Sequence, residues 1–296
     1  MLIRKIGYEA NDIGDLKQAT KLEYSNESVF SEWFYPSIFS LLFFLFNFIW
    51  VFIHYYYFPK KEKTFVQYVK DFSLLSHLNK VLGFTSLQLL AWVYFGSVLA
   101  SIVQLINGTK YKRFPKCLDT FLKNRKQYGL WAFLFASVHM ILTIYVTNPG
   151  YLSYWFIKQN EFSKLTLMGD LSLITGTISY LLFVLIALSS INSIAKSLNW
   201  KEWNFVQTKI GLICLLSGMI HTGVMYLNIF LQRNVGNNNY SVVYLLTRVK
   251  LYGVYFPFIV LFLRLLFVLP PLSRKIDRIR SGSIVKNQKE QTETKA

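Results

Sequence analysis

The sequence predicts an all-α membrane protein, a six-transmembrane-helix bundle with both termini cytoplasmic. Three observations carry that expectation. Of 296 residues, 53% are hydrophobic and only 16% are charged, where a soluble domain carries about 25% charged residues. The apolar residues are gathered into six long runs. The basic residues between those runs fall mostly on alternate loops, as they do in membrane proteins whose cytoplasmic side is the positive one.

The runs are 36–58, 81–106, 128–147, 171–192, 207–230 and 251–272. Each is long enough for a helix to cross a hydrocarbon core, which takes about 20 residues. The first begins after 35 polar-rich residues and has no small-residue cleavage site behind it, so it reads as a span and not as a signal peptide. Segments of alternating hydrophobicity are absent, which argues against a β-barrel.

Orientation follows from the loops. The N-terminus, the 107–127 loop, the 193–209 stretch and the C-terminal tail hold 21 Lys and Arg, and the 59–80, 148–170 and 231–250 loops hold 10. The first set is therefore cytoplasmic. The sequon Asn239-Tyr240-Ser241 then falls outside, where glycosylation occurs. The tail after Pro271 is basic and then polar, and reads as a lipid-facing stub followed by disorder.

The net charge of +17 would suggest nucleic acid in a soluble protein. Here it is accounted for by cytoplasmic loops facing anionic lipid. Cys117 lies in a basic loop and Cys214 inside an apolar run, which argues against a disulfide between them, and no CxxC or Cys/His cluster suggests zinc.

Four histidines occur. His54 near the outer end of the first span and His77 in the outer 59–80 loop read as interfacial or solvated. His139 and His221 sit mid-span in the third and fifth runs, where an ionisable group is expensive. His139 lies 14 residues beyond Arg125, and His221 lies 14 beyond Gln207. At 1.5 Å per residue each is ~21 Å from its cytoplasmic anchor, so both sit at one level in the outer half of the core. Two neutral imidazoles at one depth can ligate a haem iron from both sides. An interhelical hydrogen bond and a proton relay are the other readings.

Two inner segments, GTKYKRFPKCLDTFLKNRKQYG (108–129) and LNWKEWNFVQTKIG (198–211), mix cations, amides and aromatics where the third and fifth spans begin. Helix N-termini flanked by Lys and Arg suit phosphates, and aromatics there can stack on a flat ring. Positive-inside loops with interfacial Trp and Tyr have the same composition.

At these segments the chain resembles the STEAP metalloreductase family of six-transmembrane iron and copper reductases. The resemblance is carried by QLINGTKYKRFPKCLDTFLKNRKQYGL (104–130) with FASVH just after it, by NWKEWNFVQTKIG (199–211) with His221-Thr222 ten residues on, and by LFVLPPLSRKIDRIRSG (266–282). It runs across roughly 34–282. It implies a ferric-reductase-type transmembrane domain over 34–272, with a haem b between the third and fifth helices on His139 and His221. It implies an FAD at the inner half, on Arg125, Lys126, Gln127, Gln207 and Lys209. Phe183 in the fourth helix matches the apolar residue between flavin and haem, an electron bridge. Trimers, homo- or hetero-, in plasma or endosomal membrane complete the implied picture.

Residues 4–23 look like the last piece of the NADPH-binding domain that precedes the membrane part in fully active members. Residues 1–33 are thus a cytoplasmic leader resembling the end of such a domain, and 273–296 a basic tail. No GxGxxG follows a strand, so NADPH-derived electrons are expected from a missing domain or a partner. The outer 148–170 segment is about ten residues shorter than the family's and lacks its arginines; Lys158, Arg233 and Arg248 are the cations left to hold an anionic chelate. The function implied is electron transfer from reduced FAD through the haem to chelated Fe3+ or Cu2+ on the outer or luminal side. The alternative is a non-catalytic haem subunit of a mixed trimer. A histidine-relay transporter would show paired broken helices in two repeats, and none is visible. Arg264, the cation inside the sixth span, reads as snorkelling inward or, less favoured, as meeting a cofactor carboxylate.

Overall fold

A computed structural model describes residues 29–57, 74–109, 112–150, 155–159, 162–234 and 249–282. The six apolar runs appear as α1 (Val29–Tyr57), α2 (Leu74–Asn107), α4 (Arg125–Val146), α5 (Leu167–Ser190), α8 (Gly211–Asn234) and α9 (Val249–Val268). Between them lie α3 (Lys116–Lys123), a hairpin of β1 (Phe156–Gln159) and β2 (Phe162–Leu165), α6 (Asn192–Ser197), α7 (Trp200–Phe205) and a π-helical turn (Val206–Ile210). Among the described residues, five helices are long and apolar enough to span a membrane, and α9 with α10 (Pro270–Ser281), bent by 76° where they join, make a sixth when taken together. The chain is an integral membrane protein.

α2 is the axis of the bundle. It packs on α4, α9 and α1, while α8 packs chiefly on α5. Its Val81, Leu89, Ala91 and Val98 are almost fully enclosed. The outward residues of the other spans are also apolar: Leu42 and Phe46 on α1, Ile141 on α4, Leu181 on α5, Phe258 on α9. In water such a surface would drive aggregation; in lipid it is the solvated face.

Polar side chains inside the bundle tie its helices together. Asn47 on α1, fully buried, donates to Thr85 Oγ1 at 3.1 Å and Gln88 Oε1 at 3.0 Å on α2. Gln88 in turn donates to the Tyr252 carbonyl on α9 at 3.3 Å. Such bonds contribute ~0.6–2 kcal/mol each in membranes.

The structure departs from the sequence expectations in four places. α2 starts at Leu74, so His77 lies in its first turn and not in a loop. The outer 148–170 segment contains the hairpin, paired Phe156 to Leu165 through Gln159 to Phe162. The fifth span is not one regular helix: α7, capped by a reciprocal pair between Asn199 and Glu202, leads through the π turn into α8. The stretch after the sixth span is helical to Ser281, because Pro270 and Pro271 suit a helix start and Ile276 and Ile279 find cover. Arg280 pins it to α2 through Gln104 Oε1 at 3.0 Å and Ser101 Oγ at 3.1 Å. The leader before residue 29, the sequon, Arg248, the tail beyond 282 and the side chains of His54, Lys158 and Arg233 lie outside the described residues.

Candidate haem and flavin sites

His139 belongs to α4 and His221 to α8. His139 Nδ1 is 2.8 Å from the Asn79 carbonyl on α2. His221 Nδ1 is 2.9 Å from the Ser172 carbonyl on α5, with Thr175 Oγ1 at 3.4 Å. A carbonyl oxygen only accepts, so Nδ1 carries the proton in both rings. In the neutral ring each Nε2 then keeps its lone pair. A ligating histidine is characteristically held this way, with its other nitrogen bonded to a carbonyl or carboxylate. As donors, the two imidazole Nε2 atoms would suit a haem iron, which would supply one-electron chemistry if bound there. Among the described residues no group of three or more His, Cys, Asp and Glu gathers at one place, so a compact site of the zinc type is not an alternative there.

α2 braces His139 by a closed loop of bonds. Asn79 Nδ2 donates to Thr143 Oγ1 at 3.0 Å, and Thr143 donates to the His139 carbonyl at 2.7 Å. Sequence reasoning did not single out Asn79 or Ser172, because the group each supplies is a backbone oxygen.

The five residues expected at the flavin lie at the inner ends of α4 and α8. Arg125, Lys126 and Gln127 open α4; Gln207 and Lys209 belong to the π turn. π turns are frequent at functional sites because they displace side chains from the regular helical register. The end of α5 links the two groups. Gln207 Nε2 lies within hydrogen-bonding distance of the Ile186 carbonyl at 3.1 Å, Ser189 Oγ at 2.8 Å and Ser190 Oγ at 2.9 Å. Lys126 donates to Asn192 Oδ1 at 2.6 Å, just past that end. Arg125, Lys126 and Lys209 are exposed cations. Gln127 is buried, and its Oε1 has no hydrogen-bond partner. An orphaned acceptor beside exposed cations fits a ligand that brings N–H or O–H donors and phosphates. Arg264 Nε, four residues before the end of α9, is another buried polar atom without a hydrogen-bond partner.

Phe183 lies on α5 between the two levels. Ser172 marks the histidine level and Ile186 the Gln207 level, 14 residues or ~21 Å apart along the helix. Phe183 is 6% exposed and belongs to the main core cluster with Phe135, Cys214 and Leu215.

Comparison with known proteins finds similarity to a family of transmembrane reductases. Residues 82–216 match the ferric reductase like transmembrane component family. Metalloreductase STEAP3 of Rattus norvegicus is 31% identical over 95% of this chain and 58% of its own length. Metalloreductase STEAP2 of Mus musculus and of Homo sapiens are each 29% identical over the same shares. The chain thus spans about 58% of the length of these relatives.

Proposed function

We propose that this chain, a homologue of the STEAP metalloreductases with a ferric-reductase-like transmembrane domain, is a transmembrane metalloreductase domain. Single electrons taken up at the inner face are delivered to chelated Fe3+ or Cu2+ on the outer or luminal side, each metal ion leaving one electron richer. The observation that supports this best is the pair of mid-membrane imidazoles whose Nδ1 hydrogens are both committed to helix carbonyls.

Haem b and FAD, when bound, supply the one-electron chemistry. The chain's own residues bind, orient and exclude water. His139 and His221 offer Nε2 to the iron. Gln127, with Arg125, Lys126, Gln207 and Lys209, holds the FAD at the inner face. Phe183 fills the interval between the two levels. NADPH-derived electrons reach the inner face through a further domain or a partner subunit. Assembly as a homo- or hetero-trimer in plasma or endosomal membrane belongs to the same proposal and rests on the family resemblance.

The experiment is an absorption spectrum of the detergent-purified chain, oxidised and dithionite-reduced, with haem quantified per chain. A low-spin spectrum at about one haem per chain is expected, as a filled pair of axial positions requires. His139→Ala and His221→Ala should each lose it, together with reduction of ferric chelate by reduced FAD. Folded variants with unchanged haem content would refute the assignment.

A further inference from the structure

The two histidines are seated in the same way, although they belong to different helix pairs. His139 reaches from α4 to the carbonyl of Asn79, and its ring faces Gly83, four residues further along α2. His221 reaches from α8 to the carbonyl of Ser172, and its ring faces Gly176, four residues further along α5. A Cβ on Gly83 would stand 3.0 Å from His139 Cε1 and 3.2 Å from both ring nitrogens. On Gly176 it would stand 2.9 Å from His221 Cε1 and 3.1 Å from Nδ1.

Helix geometry accounts for the spacing of four. The carbonyl of residue i already accepts the N–H of residue i+4, and its second lone pair remains open. A donor from a neighbouring helix must approach past residue i+4, whose Cβ tilts back toward the helix N-terminus and so over that carbonyl. Glycine at i+4 clears the path. A related close approach occurs lower in the bundle, although within the π turn, where Gly211 N–H bonds the Val206 and Thr208 carbonyls: the Tyr94 hydroxyl donates to the Gln207 carbonyl at 2.9 Å and Gly211 faces that hydroxyl.

We propose that Gly83 and Gly176 are positioning residues of the haem-ligating histidines: having no side chain, each lets an imidazole keep its Nδ1 hydrogen on a helix carbonyl, which fixes the ring plane and the electron donation of Nε2. The inference rests on the reading of His139 and His221 as axial ligands. A hydrogen-bonded Nδ1 makes the ligand more basic and holds its orientation. Alanine at either position lifts the ring from its carbonyl, which weakens haem binding and favours the reduced iron.

The test uses the full chain, purified in detergent after expression with haem supplied. Gly83→Ala and Gly176→Ala are compared with the parent and with Gly129→Ala, whose added Cβ would meet only Val93, at 4.0 Å. Haem affinity, the low-spin electron paramagnetic resonance signal and the midpoint potential are measured. The first two variants should bind haem about 10- to 100-fold more weakly, the range for a lost outer-shell partner, with an altered low-spin signal and a raised potential. Gly129→Ala should match the parent. Folded Gly83 and Gly176 variants with parental affinity, signal and potential overturn the inference. Should an alanine chain fail to fold, Thr143→Val decides: it removes the hydroxyl that clamps Asn79 to the His139 turn and adds no bulk. A changed low-spin signal and weaker haem binding then support the positioning role, and parental values overturn it. A parent chain that binds no haem sinks the ligand assignment itself, whereas a haem-bearing parent with unaffected variants sinks only this inference.

Discussion

Phe183 of α5 meets the edge of Phe133 of α4 with ring centres 5.7 Å apart and planes at 65°. Phe133 also stacks on Tyr180 at 6.0 Å, and the Tyr180 hydroxyl donates to Ser137 Oγ at 3.2 Å. The aromatic edge-to-face contact locks α4 to α5 between the histidine level and the inner polar group. Phe183→Leu preserves most of the packed volume. It should leave haem content and folding intact and slow electron delivery to the iron modestly. Phe183→Ala opens a cavity costing about 3–5 kcal/mol and should slow the same step several-fold further. Stopped-flow reduction by dithionite-reduced FAD, alongside thermal unfolding, separates the two effects. Equal rates in all three chains would remove Phe183 from the electron path.

Gln207 is the junction between the π turn and α5. Gln207→Leu removes its contacts with Ile186, Ser189 and Ser190, among which its two amide hydrogens can make two full bonds of about 1 kcal/mol net each, and frees the turn that carries Lys209. The expected result is at least a tenfold loss of FAD affinity, about 1.4 kcal/mol, with the haem spectrum unchanged. Flavin fluorescence titration checks the first and the Soret band the second. Unaltered FAD affinity would place the flavin elsewhere.

The spans were legible because burial in lipid demands long apolar runs, and depth was legible because a helix rises evenly. His139 and His221 stood out for the same reason: an ionisable side chain in an apolar run has little else to signal. What could not be read depends on pairing between helices. VQTKI gives no sign that residues 206–210 wind as a π turn, since the polar residues would suit an ordinary helix start. FIKQ and FSKL are too short for alternation to declare a hairpin. The carbonyls of Asn79 and Ser172 leave no side-chain signature at all. Gly83 and Gly176 were visible as glycines inside apolar runs, but their meaning appears only when each is seen four residues past a carbonyl that a neighbouring helix uses.

Tyr94 and Gly211 provide a test of a related close approach, at the π turn and away from the histidines. Gly211→Ala would bring a Cβ onto the Tyr94 hydroxyl and within 2.6 Å of its Cζ. Tyr94→Phe alone loses the bond to Gln207, about 1 kcal/mol. In the double variant the oxygen is gone and part of the clash with it. The pair should therefore be less destabilised than the sum of the single changes, by about 0.5–3 kcal/mol of coupling, read from thermal unfolding in detergent. Strict additivity would mean the two side chains do not compete for the same space.

The two cysteines report orientation. Cys117 is exposed on α3, whose flanking cations lead to the expectation that it faces the cytoplasm, while Cys214 is 1% exposed with its thiol 3.6 Å from the Ser179 carbonyl. A membrane-impermeant maleimide added to intact cells should label neither. After selective permeabilisation of the plasma membrane it should label one thiol per chain, and Cys117→Ser should abolish that label. Cys214 should react only on unfolding, because lipid and packed side chains exclude a charged reagent from it. Labelling of Cys117 in intact cells would reverse the topology. The chelate would then meet the basic loops instead of the side opposite them, and the inner and outer roles assigned to Gln207 and the histidines would exchange.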